Sequence, residues 1–190
     1  MNLQFNISKK LGQANKLILI TGSGSIANKH IHILLELNYK ILILIKSNTE
    51  KKRFLKSHDD KIKFIKNLDD IDVNKIFFAI IASSTYKHKR EIELCLKKKI
   101  NIFCEKPISN NLQSLKKIRK KIIDNKNFFF VNYQLKQHTL VKKLKMLIRG
   151  KKIYHIEARV GHNLKYWRSN KISNSSYYVN SKKGGGVIFE

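Results

Sequence analysis

The sequence predicts an α/β fold, a doubly wound parallel sheet followed by the start of an incomplete α+β domain. Three observations predict it. Short, near-continuous apolar runs recur between residues 17 and 131, as strands buried on both faces require. Amphipathic stretches at helical spacing separate these runs. A Gly-x-Gly turn, Gly22 and Gly24, directly follows the first run.

The elements follow in order. Residues 17–20 read as a buried strand, and 26–37 carry apolar residues at helical spacing. Residues 41–45 are a second strand, 48–56 a polar helix, and 61–65 an alternating strand with Ile62 and Phe64 on one side. A continuous apolar strand covers 76–82. Residues 88–99 form a helix with Ile92, Leu94, Cys95 and Leu96 on or near its apolar face. Strand 100–104, helix 112–123 and strand 128–131 complete the alternation. Right-handed crossovers turn such a series into a doubly wound sheet. Residues 141–148 then read as a helix, and 153–160 alternate as a half-buried strand does. That change from buried to alternating strand marks a second domain, giving domains at 1–132 and 133–190.

Composition narrows the functional classes. The 190 residues are 42% hydrophobic, enough for a packed core. Lys and Arg number 40 against 13 Asp and Glu, a formal net charge of +27. Such a charge favours anionic partners through counterion release. The lysines are spread along the whole chain, mostly on the polar sides of amphipathic stretches, rather than gathered in one arm. That spread favours a compositional bias, as in AT-rich genomes, over a nucleic-acid role. Cys95 and Cys104 have neither the spacing nor the His neighbours of a metal site, so no metal is expected. Free thiols in apolar surroundings fit a reducing cytoplasm. The first ten residues lack the apolar core of a signal peptide, and the run 41–45 is too short to span a bilayer. No membrane partner is expected.

The glycine turn carries chemistry. Glycine lets the backbone turn tightly and approach a pyrophosphate, and a helix N-terminus supplies N–H groups and a favourable dipole. Gly22, Gly24, Ser25 and Ile26 are therefore candidate dinucleotide contacts. Ala27 takes the third position of the fingerprint and allows close helix–strand packing. This is a Rossmann-type turn in its required strand–turn–helix context. After the second strand, an acid would accept the adenosine ribose hydroxyls of NAD. Here Lys46, Ser47 and Asn48 stand instead, with no carboxylate until Glu50. A cation and a hydroxyl suit a 2′-phosphate, so the expected cofactor is NADP or NAD, with NADP preferred.

Five segments extend this to a family: GSGSIANKHIHIL, SSTYKHKREIELCLKKKINIFCEKPIS, NYQLKQHTLVKKLKMLI, VGHNLKYWR and SYYVNSKKGGGVIFE. Together they resemble the Gfo/Idh/MocA oxidoreductases (glucose-fructose oxidoreductase and inositol dehydrogenase), closest to the branch of surface-polysaccharide sugar metabolism. The resemblance runs over residues 17–190. It implies hydride transfer between nicotinamide and a hydroxyl or keto carbon of a sugar or sugar nucleotide. It implies that Lys106, in Glu105-Lys106-Pro107, lies between nicotinamide and substrate and helps move the hydroxyl proton. A positioned acid–base group and a nearby cation both lower that barrier. The family's Asn-Pro-Thr-like turn becomes Ser83, Ser84 and Thr85, followed by His88, on the cofactor side with Glu105. Lys136 stands where the family has Arg, which loses the planar fork. Trp167, Arg168 and Tyr177 match elements that line the sugar pocket.

The sequence also departs from the pattern. In the family, an acid after the triple glycine is followed by a His, and both reach the substrate. Here Glu190 takes the acid position after Gly184, Gly185 and Gly186, and no His follows. Losing such a group costs roughly two to four powers of ten in rate. The expectation is a C-terminally truncated member, forming a homo-oligomer only if the missing part is supplied. Its rivals are an inactive relative that binds nucleotide at most, and a basic nucleic-acid-binding protein.

Overall fold

The computed structural model describes residues 16–45, 60–125 and 127–161. The described residues divide into two compact units between Val131 and Asn132.

The first unit is built on a six-stranded sheet: β1 (Leu17–Thr21), β2 (Lys40–Leu44), β3 (Ile62–Ile65), β4 (Ile76–Ile81), β5 (Ile102–Glu105) and β6 (Phe129–Asn132). The spatial order is β3-β2-β1-β4-β5-β6. β1 pairs in parallel with β2 and β4, β2 with β3, and β4 with β5. Strand order therefore reverses between β1 and β4, where open α/β sheets bind ligands.

Alternation along each strand builds two cores. On one side Ile18, Ile20, Ile41, Ile43 and Ile80 pack under helix α1 (Ser25–Glu36), which contributes Ala27, Ile31 and Leu34. On the other, Leu19, Leu42, Ala79, Ile81, Ile102 and Cys104 meet α2 (Thr85–Lys97), with Ile92, Cys95 and Leu96, and Ile118 of α3 (Leu112–Asp124). The short connection from β3 to β4 is made of two 3-10 turns, Leu68–Asp70 and Val73–Lys75, and Leu68 joins the second core.

Both α1 and α2 end in the same way. Tyr39 N–H bonds Leu34 C=O and Asn38 N–H bonds Leu35 C=O, with Asn38 at φ 63°. Ile100 N–H bonds Cys95 C=O and Lys99 N–H bonds Leu96 C=O, with Lys99 at φ 55°. These are Schellman ends, which turn the chain sharply back to the sheet. The second one corrects the expected helix 88–99. The helix begins earlier, at Thr85, because the chain turns into it straight after β4. It stops at Lys97, because Lys99 is already left-handed. For the same reason β5 begins at Ile102 rather than at Ile100.

In the second unit, a 3-10 turn (Gln134–Gln137) leads to α4 (Thr139–Leu147). The expected strand over 153–160 does not form: residues 151–161 carry no regular structure and are exposed. A strand needs a ladder partner to satisfy its backbone, and these residues have none among those described. The expected helix 48–56 lies outside the described residues.

Candidate functional site

Register brings the site residues to one edge. Thr21 is level with Leu44 and Ile81, and Ile81 with Cys104, so these four residues form a row across the sheet. The next residue of each strand or loop, Ile45, Gly22, Ala82 and Glu105, lies at its carboxyl edge.

The two glycines of the turn serve different needs. Gly22 has φ +96°, and a Cβ there would lie 2.6 Å from Ala82 O and 2.7 Å from Ser83 Cα. It is required by the packing of the turn after β1 against the turn after β4. Gly24 has φ −83° and is exposed, and a Cβ there would meet nothing within 4 Å. Its missing side chain leaves open space at the start of α1. Ser25 is exposed, whereas Ile26 is half-buried against the core beneath the turn.

Capping differs among the helices. α1, with Gly24 as N-cap, and α2, with Ser84, have no side-chain cap. α3 is capped by Asn111, whose Oδ1 accepts from Ser114 N–H at 2.9 Å, and α4 by His138. The two helices that leave β1 and β4, on either side of the order reversal, are thus the two without side-chain caps among the described α-helices. Their first-turn N–H groups and dipoles suit an anion such as a dinucleotide pyrophosphate. The space above Gly24 gives its backbone room to approach one, so the chain's own residues fit the nucleotide.

Behind this edge lies a buried polar network. The Thr21 and Ser83 hydroxyls both donate to Glu91 Oε2, at 2.8 and 2.6 Å. Glu91 is buried on α2 and joins the ends of β1 and β4. His88, one turn earlier and 1% exposed, has Nε2 2.9 Å from Ser83 O and Nδ1 2.9 Å from Pro107 O. Thr85 is also buried. From the other face of the sheet, His30 of α1 donates through Nε2 to Glu105 Oε1 at 2.7 Å, its ring edge-on to Phe103. Lys106 follows at the strand end, exposed, with a cis bond to Pro107. Burial, and secondarily Glu91, push the Cys95 thiol up to about 12. Burial also raises the Cys104 thiol, aided by Glu105, Glu91 and Cys95.

A cleft of about 890 Å3 opens on the α2 side of the sheet, from Leu44 and Ile45 past Leu68 to Arg90, Glu91 and Leu94. In the second unit, Lys136 is exposed and its ammonium lies 5.2 Å from the centre of the Tyr133 ring. Lys46, Ser47, Trp167, Arg168, Tyr177 and Glu190 lie outside the described residues.

The structure thus gathers Gly22, Gly24, Ser25, Ser83, Thr85, His88, Glu105 and Lys106 at the carboxyl edge of β1, β4 and β5. His30 and Glu91 were missed from sequence. A signal existed: His30 falls three residues after Ala27 and four before Leu34, and Glu91 three after His88 and four before Cys95, on the buried stripes.

A profile described as an oxidoreductase family with an NAD-binding Rossmann fold, GFO_IDH_MocA, matches residues 16–133. The chain belongs to the Gfo/Idh/MocA family. Solved structures of similar fold include a myo-inositol dehydrogenase from Lactobacillus casei, determined with NAD(H) and myo-inositol. It is 16% identical with a TM-score of 0.63, over 70% of this chain and 41% of that one. A putative NADPH-dependent oxidoreductase from Desulfitobacterium hafniense is 18% identical, with a TM-score of 0.62 over 70% of this chain and 39% of that one. The WlbA (WbpB) dehydrogenase from Thermus thermophilus, determined with NAD and α-ketoglutarate, is 18% identical, with a TM-score of 0.59 over 72% and 47%. This Gfo/Idh/MocA chain therefore spans less than half the length of these neighbours. No curated protein sequence matches it. Among the described residues, no helix is long and apolar enough to cross a membrane.

Proposed function

We propose that the chain forms the nucleotide-binding part of an NAD(P)-dependent oxidoreductase. It would act on a hydroxyl or keto carbon of a sugar or sugar nucleotide, in the cytoplasm, with surface-polysaccharide synthesis as the setting. The observation that carries the reading is the edge itself. The open turn at Gly24 and the uncapped start of α1 follow β1, Lys106 follows β5, and one strand, β4, separates the two beside the order reversal.

The nicotinamide supplies the hydride acceptor or donor. Gly22, Gly24, Ser25 and Ile26 form the pyrophosphate turn, and Ser83, Thr85, His88 and Glu105 form or support the wall beside it. Lys106 would hydrogen-bond the reacting hydroxyl oxygen and stabilise its developing alkoxide charge, while the hydroxyl proton passes to water at this exposed position. In this reading residues 133–190 begin the substrate domain, with Lys136, Trp167, Arg168, Tyr177 and Glu190 as its candidate sugar-binding residues. The run Lys46, Ser47, Asn48, with no acid before Glu50, supports NADP over NAD.

The test is a fluorescence titration with NADPH and, separately, NADH. Saturable binding, tighter for NADPH and lost in Gly24→Val, is expected. Tighter NADH binding would reverse the cofactor preference, and no binding of either would overturn the reading. With myo-inositol as the polyol probe, Lys106→Met should lower any turnover by at least about 100-fold while nucleotide affinity is kept.

A further inference from the structure

His88 is almost fully buried, and both of its ring nitrogens face main-chain carbonyl oxygens. Nε2 lies 2.9 Å from Ser83 O and Nδ1 2.9 Å from Pro107 O. A carbonyl oxygen only accepts. A neutral imidazole has one N–H and one lone pair, so it can satisfy one of these contacts and must set a lone pair against the other. The imidazolium donates to both. Charge-assisted donors of this kind are the stronger ones, and an unmatched polar contact in a buried site is costly.

Burial by itself disfavours a charged ring, so the groups around it matter. On the same helix, one turn along, stands the buried carboxylate of Glu91, which already accepts from the Ser83 hydroxyl. From β5, Cys104 Sγ is 3.9 Å from Nδ1, and its hydrogen is directed to Glu105 O. Burial holds that thiol neutral. At the end of β5 the Glu105 carboxylate is buried, and it is paired with His30 of α1. Lys106 is the one cation beside it in sequence, and it is exposed.

We propose that His88 is held as an imidazolium that ties the turn after β4, at Ser83, to the Lys106–Pro107 segment, making it a positioning residue for Lys106. Its importance for catalysis rests on the reading of Lys106 given above; its double donation does not. Across the sheet His30 holds the residue before Lys106 by its side chain, while His88 holds the residue after it by its carbonyl. The chain on either side of Lys106 is thereby held from both faces. Deprotonation of His88 releases one of its two carbonyls and loosens this segment.

The test is NMR of the 15N-histidine-labelled 190-residue chain at pH 7.5, one unit above the ordinary imidazole value of about 6.5. The His88 signals are assigned by their loss in His88→Gln. Both His88 nitrogens are expected to be protonated at this pH. One protonated and one bare nitrogen overturns the proposal. Backbone 15N relaxation at Lys106 and Ile108 is then followed as pH rises until the ring deprotonates. Mobility should increase at these two residues while Ile18 and Ile20 stay rigid, and unchanged mobility sinks the positioning role. Neither readout needs turnover. If Lys106→Met leaves catalysis intact, the catalytic reading fails while the histidine signature stands.

Discussion

Gly22 and Gly24 differ by one residue, yet they answer to different forces. At Gly22 a methyl group would drive into the backbone of Ala82 and Ser83, at a φ of +96°. Gly22→Ala should therefore cost about 2–5 kcal/mol from left-handed strain and overpacking together. Gly24→Ala meets open space at an ordinary φ, so stability should stay within about 0.5 kcal/mol. Its expected loss is in nucleotide affinity. Chemical denaturation of both variants, beside an NADPH titration of the second, separates packing from binding. The buried thiols give a second residue-scale expectation. With the folded Cys95 value near 12 against an ordinary thiol value of 9.0, the unfolded chain releases this proton first. Stability is unaffected below about pH 9 and falls as pH rises from there towards 12, by about 1.4 kcal/mol per unit at most. At pH 8 neither Cys95 nor Cys104 should react with a thiol reagent until denaturant is added, whereas prompt labelling of the folded chain would show that these sites open.

At the scale of elements, helix ends decide what each helix does. α3 is closed by Asn111, and Asn111→Ala should cost about 1 kcal/mol. The α1 and α2 starts carry no such side chain, and they stand where a ligand would serve instead. At the far end of α2, Lys99 sits in the left-handed conformation that the Schellman end demands, at φ 55°. Lys99→Gly should stabilise the unit by about 1 kcal/mol, seen as a higher denaturation midpoint with unchanged slope. The opposite sign would mean that the lysine stem contributes packing that outweighs its backbone strain.

For the molecule as a whole, the nucleotide and the fold are linked. A ligand that binds only the folded chain stabilises it by about 2.7 kcal/mol at 100 times its Kd. NADPH should accordingly raise Tm in a concentration-dependent way, whereas myo-inositol alone should not. A Tm that ignores both nucleotides would count against the proposed site. The charge of +27 adds a general affinity for polyanions, so this shift is to be read at 0.15 M salt or above, where surface attraction is screened.

The sequence alone determined the order of the six strands and of the three α-helices described among them, because buried parallel strands are continuous apolar runs and glycines and Pro107 are sparse enough to punctuate them. It also determined the family, because Gly22-Ser23-Gly24 and Glu105-Lys106-Pro107 are local motifs whose meaning survives without coordinates. It misjudged 153–160, since alternation names a strand's faces but does not supply its partner. It did not single out His30 and Glu91, although their stripes were legible, because polar residues on an apolar stripe have meaning only through what they meet. The register that levels Thr21, Ile81 and Cys104, and the folding of α1 and α2 onto opposite faces, brought those partners within hydrogen-bond reach. Such contacts join residues about 70 positions apart, Thr21 to Glu91 and His30 to Glu105. Local sequence does not encode that separation; only the packed sheet closes it.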